Sequence, residues 1–147
     1  MTVIGHDRPG LVEKVAGLVA SHGGNWLESR MCRLGGEFAG ILRISVPAQQ
    51  EQPLARALTD LASAGLRIVT QPDRGGGDVV DEKTSLARLE IVGQDRPGIV
   101  RQIAGALAGQ GVNVEELRTE CQSAPMSGET LFKAEATVSI PPTCDLP

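Results

Sequence analysis

The chain has 147 residues, enough for one ordinary domain or two small ones, and 41% of them are hydrophobic. Only 2% are aromatic, so the core must be built from Leu, Val, Ile and Ala. The same scarcity argues strongly against an RNA-binding surface of stacked aromatic side chains. A net charge of −4, with Arg and Lys scattered along the chain, argues against direct binding to nucleic acid.

No apolar run approaches the length of a membrane span, and no signal peptide precedes the first strand-like residues. Cys32, Cys121 and Cys144 have neither a disulfide pattern nor metal-ligand spacing. The two histidines, His6 and His22, lie outside any cluster of ligand residues. These features predict a cytoplasmic protein with reduced thiols, no metal site, no cofactor and no membrane partner.

The start of the chain predicts a strand, a loop and a helix. Residues 2–4 have the apolar character of a strand end. Pro9 suits the first turn of a helix, where its missing N–H needs no partner. Apolar residues then follow helical spacing from Leu11 to Val19, and the glycines at positions 23 and 24 are expected to end the helix.

A hairpin, a second helix and a short strand are predicted next. Pro53 is expected to start that helix and Gly65 to end it. Taken together, these elements predict a first domain at residues 1–72, with an α+β fold and the element order β-α-β-β-α-β. The strands of this part are expected at residues 25–33, 38–46 and 66–70, with a hairpin turn at Gly35 and Gly36.

A polar, glycine-rich stretch at residues 73–83 predicts a linker. Beyond it the first part of the pattern returns. The sequence GHDRPGLV at residues 5–12 recurs as GQDRPGIV at residues 93–100. Apolar core positions recur in a repeat because packing requires them. Packing does not require a polar loop to recur, so we expect both loops to serve the same function. The matching elements are strands at 86–92, 112–121 and 132–140 and a helix at 99–108.

The second copy, residues 84–147, ends six residues after Pro141, which corresponds to Pro47 of the first copy. That length is too short for the last helix and strand, so this domain is expected to be incomplete. Either the chain is part of a longer one or another molecule completes the second sheet, and the longer chain is the simpler explanation.

Two β-α-β-β-α-β units, each with Asp-Arg-Pro-Gly after its first strand and Gly-x-Asn after its first helix, resemble tandem ACT domains. These are small amino-acid-sensing modules, and the resemblance implies ferredoxin-like sandwiches with an antiparallel sheet and helices on one face. The resemblance covers nearly the whole chain and is closest in the first half of each unit. Without a catalytic domain, the pair is most similar to the glycine cleavage system transcriptional repressor group.

The resemblance implies a ligand site at the loop after the first strand and at the start of the second strand, commonly at an interface between two domains. The positions that match are Asp7, Gly10 and Asn25 in the first copy, and Asp95, Gly98 and Asn113 in the second. Helix-start N–H groups at the glycines suit a carboxylate. An Asp can accept from the ammonium group, and an Asn can both donate and accept.

Ordinary structural roles compete with these assignments. An Asp before a helix is a common cap, and an Asn after a Gly is common turn chemistry. Helix capping and ligand contact are therefore equally strong interpretations of Asp7 and Asp95. Some serine-binding members have a polar residue where this chain has Gly5 and Gly93, which leaves the ligand open between glycine, serine and other amino acids.

The hypothesis from the sequence is a non-enzymatic amino-acid sensor, a homodimer that acts through a protein partner such as a transcription activator and not through DNA. The alternative is the regulatory ACT region of a larger amino-acid or one-carbon metabolic enzyme. A free-standing enzyme is disfavoured because the sequence has no nucleophile–histidine–acid set, metal cluster or glycine-rich phosphate loop.

Overall fold

The computed structural model describes residues 1–73, 84–123 and 128–144. The chain divides into two compact units, unit 1 at Met1–Gly76 and unit 2 at Gly77–Pro147. Nearly all of the predicted linker lies outside the described residues. No helix in the described ranges is both long enough and apolar enough to cross a membrane.

Unit 1 is an antiparallel sheet of order β2-β3-β1-β4 with both α-helices on one face. The predicted β-α-β-β-α-β order and the α+β fold are confirmed. The elements are β1 (Thr2–His6), α1 (Leu11–Ser21), β2 (Asn25–Leu34), β3 (Glu37–Ser45), α2 (Ala48–Asp60), a 3-10 helix (Leu61–Ala64) and β4 (Leu66–Val69).

The core of unit 1 lies between this sheet and its helices, and it is aliphatic, as the composition required. Strand residues reach it by alternation, since Val3 is buried between exposed neighbours on β1. Leu58 of α2 and Leu66 of β4 are fully buried against the same cluster. α2 and β4 therefore close the core over β1.

The start of α1 differs from the prediction. The sequence predicts Pro9 in the first helical turn, but the helix begins at Leu11. Gly10 stands between them with φ of +87°, a left-handed conformation that cannot continue a right-handed helix. Pro9 therefore belongs to the turn that precedes the helix.

The start of α2 differs as well. The sequence predicts that Pro53 begins this helix, but the helix begins at Ala48 and Pro53 lies inside it. The Gln50 N–H donates to the Pro47 carbonyl at 2.8 Å, which closes a turn upstream of the expected start. The missing N–H of Pro53 then leaves one intrahelical hydrogen bond unmade.

Unit 2 repeats the first part of unit 1. Its described elements are β5 (Ser85–Gln94), α3 (Ile99–Gly109), β6 (Asn113–Ser123) and β7 (Thr130–Ile140), in a sheet of order β5-β7-β6. The strand register shifts after Trp26 in β2 and after Val114 in β6, so even the β-bulge recurs. Among the described residues, no strand lies beside β5 in the place that β4 takes beside β1.

Candidate functional site

The Asp-Arg-Pro-Gly loop of unit 1 joins β1 to α1 and is fastened to the sheet. The Asp7 N–H donates to the Gly36 carbonyl at 2.9 Å, which ties the loop to the β2–β3 turn. The Asp7 Oδ2 lies 2.8 Å from Nε of Arg33 on β2. The carboxylate is thus paired with a guanidinium and does not cap the helix, so the capping interpretation of Asp7 is wrong.

Both motif helices start without a side-chain cap in the described part of the chain. Their N-cap residues are Gly10 and Gly98, with φ of +87° and +84°. Helix-start N–H groups point away from the helix body, where the helix dipole adds partial positive charge. Such N–H groups are chemically suited to a carboxylate, and Gly10 and Gly98 stay predicted positions for one.

A cleft of about 400 Å³ opens beside the unit 1 loop. The Arg8 guanidinium donates to the Ala64 carbonyl, which holds the loop against the turn before β4. Glu13 adds a second carboxylate in the first turn of α1. The cleft therefore carries both signs of charge, as binding of a zwitterion requires. Its lining consists of Asp7, Arg8, Gly10, Leu11, Val12, Glu13 and Phe38.

The unit 2 loop has the same backbone arrangement but different charges. The Asp95 N–H donates to the Thr130 carbonyl at 2.9 Å, as Asp7 does to Gly36. Cys121 stands in the register position of Arg33, opposite Phe132 on β7. Partial desolvation, the Asp95 charge and a hydrogen bond to Asp95 raise the pKa of the Cys121 thiol. Asp95 therefore interacts with the uncharged thiol of Cys121, whereas Asp7 is paired with the charged guanidinium of Arg33.

The two asparagines lie at the far end of each sheet from these loops. β1 and β2 both run antiparallel to β3, and His6 pairs with Glu37 while Asn25 pairs with Ser45, eight positions further along β3. At about 3.3 Å per residue, that offset is about 26 Å. Unit 1 alone does not bring Asp7 and Asn25 together, and Asp95 and Asn113 are separated in the same way in unit 2. A free amino acid is far smaller than this offset, so neither unit by itself brings its Asp and its Asn to one such ligand.

Asn113 has a carboxylate neighbour, Glu115, that Asn25 lacks. Its Nδ2 donates to Oε1 of Glu115 at 2.8 Å, and the Ser139 hydroxyl donates to the same oxygen at 2.6 Å. The corresponding position in unit 1 is Leu27, which has no hydrogen-bonding side chain. The two strand starts therefore differ in how firmly they orient the asparagine.

Sequence reasoning missed Arg33 and Glu115. Neither residue recurs in the other copy, where Cys121 and Leu27 take their places. The repeat was the strongest signal in the sequence, and it carries no information about residues that differ between copies.

Gly5 leaves no room for a side chain. A Cβ atom there would lie 2.5 Å from the Gly65 carbonyl oxygen and 3.0 Å from Cδ2 of Leu66. At Gly93 the nearest atom is Cδ1 of Ile99, at 3.9 Å. Unit 1 therefore cannot accept the polar residue that some serine-binding members carry at this position. In the described ranges, no three His, Cys, Asp or Glu side chains group closely enough to hold a metal ion.

Comparison with known proteins agrees with this architecture. Residues 1–70 match the family model of the ACT domain. A crystal structure from Galdieria sulphuraria, of a protein described only as unknown, is 34% identical and superimposes with a TM-score of 0.81, covering 95% of this chain and 79% of that one.

A crystal structure of a candidate glycine cleavage system transcriptional repressor has a TM-score of 0.66 at 20% identity, covering 98% of this chain and 80% of that one. This second likeness shows the shared fold. No curated protein sequence matches this chain.

Proposed function

We propose that this chain, whose residues 1–70 match the family model of the ACT domain, is a non-enzymatic regulator that senses a free amino acid. Residues 1–72 and 84–147 act as its two ACT domains. The observation that carries the proposal is the uncapped helix start behind Asp-Arg-Pro-Gly, which occurs in both units. Two such starts on one chain suit the carboxylate of the same class of ligand.

The charges around the unit 1 cleft support a zwitterionic ligand. The ligand carboxylate accepts from the N–H groups at the start of α1, next to Gly10. Its ammonium group lies towards Glu13, because the Asp7 carboxylate is already paired with Arg33. Asn25 of another domain completes the contacts, and Asp95, Gly98 and Asn113 form the equivalent site in the second copy.

The signal passes to a protein partner. The net charge of −4 disfavours direct contact with DNA. The likeness to a candidate glycine cleavage system transcriptional repressor favours a transcription activator as that partner. The three cysteines are free, as expected in the reducing cytoplasm. The working assembly is a homodimer, in which ligand binding shifts domain packing and thereby affinity for the partner.

Calorimetric titration of the purified chain with glycine, serine and a panel of other free amino acids tests the proposal. We expect saturable binding of at least one amino acid. Asn25→Ala and Asn113→Ala are expected to weaken it without unfolding the protein. Gln52→Ala removes an exposed amide from α2 and is the matched control, with unchanged binding.

Absence of binding at millimolar concentration, in a chain that is folded by circular dichroism, would contradict the sensor proposal. Binding that persists unchanged in both asparagine variants would leave a sensor but remove the proposed site.

A further inference from the structure

The sheet of unit 1 has an outer face, opposite its helices, that is apolar at its centre. Strand alternation turns Val3 of β1 towards the helices and its neighbour Ile4 towards the outer face. On this face Ile41 is 65% exposed, Val69 is 50% exposed and Ile4 is 42% exposed. Ile41 of β3 and Val69 of β4 both lie opposite Thr2. Ile4 follows two positions along β1, so the three side chains form one contiguous patch.

The fold itself does not require an apolar residue at these positions, because unit 2 has charged residues there. Ile41 lies opposite Arg30 on β2. Its counterpart in unit 2 is Glu135, which lies opposite Arg118 on β6. Glu135 also accepts from Lys133 at 3.0 Å, so the same face of unit 2 carries ion pairs. Contiguous exposed apolar side chains that packing inside the unit does not explain indicate an interaction surface.

Arginines flank the apolar patch on both sides. Arg30 lies opposite Ile41 on β2, and Arg67 lies opposite Ile4 on β4. Arg67 is exposed, and in the described ranges no carboxylate lies within ion-pair distance of it. The margins of the patch are therefore basic on a chain whose net charge is −4. A partner that carries carboxylates on both sides of an apolar stripe is complementary to this arrangement.

We propose that the outer face of unit 1 binds an acidic amphipathic helix of the protein partner. A helix is the fitting element, because the backbone groups inside a sheet are already paired and only its side chains are offered to a neighbour. The apolar stripe of the helix lies over Ile4, Ile41 and Val69. Asp or Glu residues on its two margins face Arg30 and Arg67. The inference rests on the proposed action through a protein partner, but it requires no bound amino acid.

A second copy of this chain fits the outer face less well than an acidic helix. The carboxylates on the described part of this face already lie beside basic side chains. Oε2 of Glu28 lies 3.7 Å from Nη1 of Arg43. Oε1 of Glu37 lies 3.6 Å from Nδ1 of His6. Two copies stacked through this face would bring their arginines together and would leave Arg67 without a carboxylate of its own.

Selection from a display library of random peptides, with the purified 147-residue chain as bait, tests the chemistry of the partner. We expect the recovered peptides to combine an apolar helical stripe with several Asp or Glu residues. Synthetic copies should bind the parent chain in fluorescence anisotropy and should gain helicity on binding. Recovery of basic peptides, or of no peptide, would overturn the proposal.

Variants of the outer face locate the binding site of the selected peptide. Ile41→Glu should raise its dissociation constant about tenfold or more. This variant should fold, because unit 2 carries Glu135 at the same position. Arg67→Glu should weaken binding as well, and a peptide with Lys in place of Glu on that margin should restore it. Val92→Glu changes the exposed counterpart of Ile4 in unit 2 and is the matched control, with unchanged binding.

Peptide binding that is equal in the parent chain and in both outer-face variants would overturn the proposed site. Analytical ultracentrifugation tests the other occupant. A dimer that dissociates in Ile41→Glu, without any peptide, would show that the face joins two copies, and this too would overturn the proposal. Circular dichroism of each variant separates lost binding from lost folding. Amino-acid titration of Ile41→Glu should match the parent chain, so docking and sensing can fail independently.

Discussion

At the scale of single residues, equivalent positions of the repeat have acquired different neighbours. Gly5 and Gly93 occupy the same place in the motif, but only Gly5 is approached closely by another backbone segment, the turn at Gly65. Asp7 and Asp95 share one backbone hydrogen bond but pair with a guanidinium and a thiol. The repeat therefore preserves loop geometry while the chemistry around the loop varies.

Gly5→Ala is expected to destabilise unit 1 by about 1–3 kcal/mol, because the added methyl group overlaps a backbone oxygen that cannot move independently. Gly93→Ala is the matched control and should change stability little. Urea unfolding of both variants, followed by tryptophan fluorescence and circular dichroism, measures the difference. Equal losses would mean that the close approach at Gly65 is not rigid.

Asp95→Asn is expected to make Cys121 more reactive. Partial desolvation and the Asp95 carboxylate hold the pKa of this thiol above its ordinary value, so the thiolate fraction at pH 8 is reduced. Removing the negative charge should lower the pKa and speed alkylation by iodoacetamide, followed at Cys121 by peptide mass spectrometry. Asp7→Asn, at the other loop, should leave the rate at Cys121 unchanged. An unaltered rate in Asp95→Asn would argue against the contact.

At the scale of elements, α1 and α3 share a sequence pattern but are not buried equally. α1 has three buried residues, Leu11, Val15 and Val19, and α3 has none among those described. The difference comes from α2, whose Leu54 and Leu58 close the core beside α1. The burial of a motif helix is thus decided by its neighbours and not by its own periodicity.

Leu58→Ala is expected to cost about 2–5 kcal/mol, because its fully buried side chain leaves a cavity in a packed core. Leu107→Ala, in the half-buried face of α3, should cost clearly less although the same atoms are removed. Chemical denaturation midpoints of the two variants give the comparison. A larger loss for Leu107 would indicate that α3 is covered in solution, as a closer association of copies would produce.

At the scale of the whole molecule, the two units have unequal cores. Unit 1 buries residues from both its helices and its sheet, whereas the fully buried residues described in unit 2 all come from β7. Small cores that bury less apolar surface are less stable. The units should therefore unfold separately, with unit 2 first.

Separate unfolding of the two units can be tested with Trp26. It is the single tryptophan of the chain, and it packs against the unit 1 core. Fluorescence should report one urea transition, at a higher midpoint than the first transition seen by far-ultraviolet circular dichroism. Coincident transitions for both probes would show that the units unfold as one.

Much of the candidate site could be predicted from local chemistry. The duplicated loop placed Gly10 and Gly98 at helix starts, and the structure finds left-handed glycines there. The glycines at positions 35 and 36 predicted a hairpin turn, and both have positive φ, as a type I′ turn requires. The start of α2 was placed wrongly at Pro53 because residues 48–52 have no helical pattern of apolar side chains. Pro53 was therefore the nearest local signal for the start of a helix.

The sequence by itself determined the two copies, the order of their elements and their aliphatic cores, because these depend on periodicity and on Gly and Pro conformations. Only the tertiary structure decided that Arg33 meets Asp7 and that Asn25 lies about 26 Å along the sheet from the loop. Such contacts depend on strand order and register, which bring together residues that are distant in the chain. Alternation assigns a side chain to a face, but it does not say which strand lies beside it.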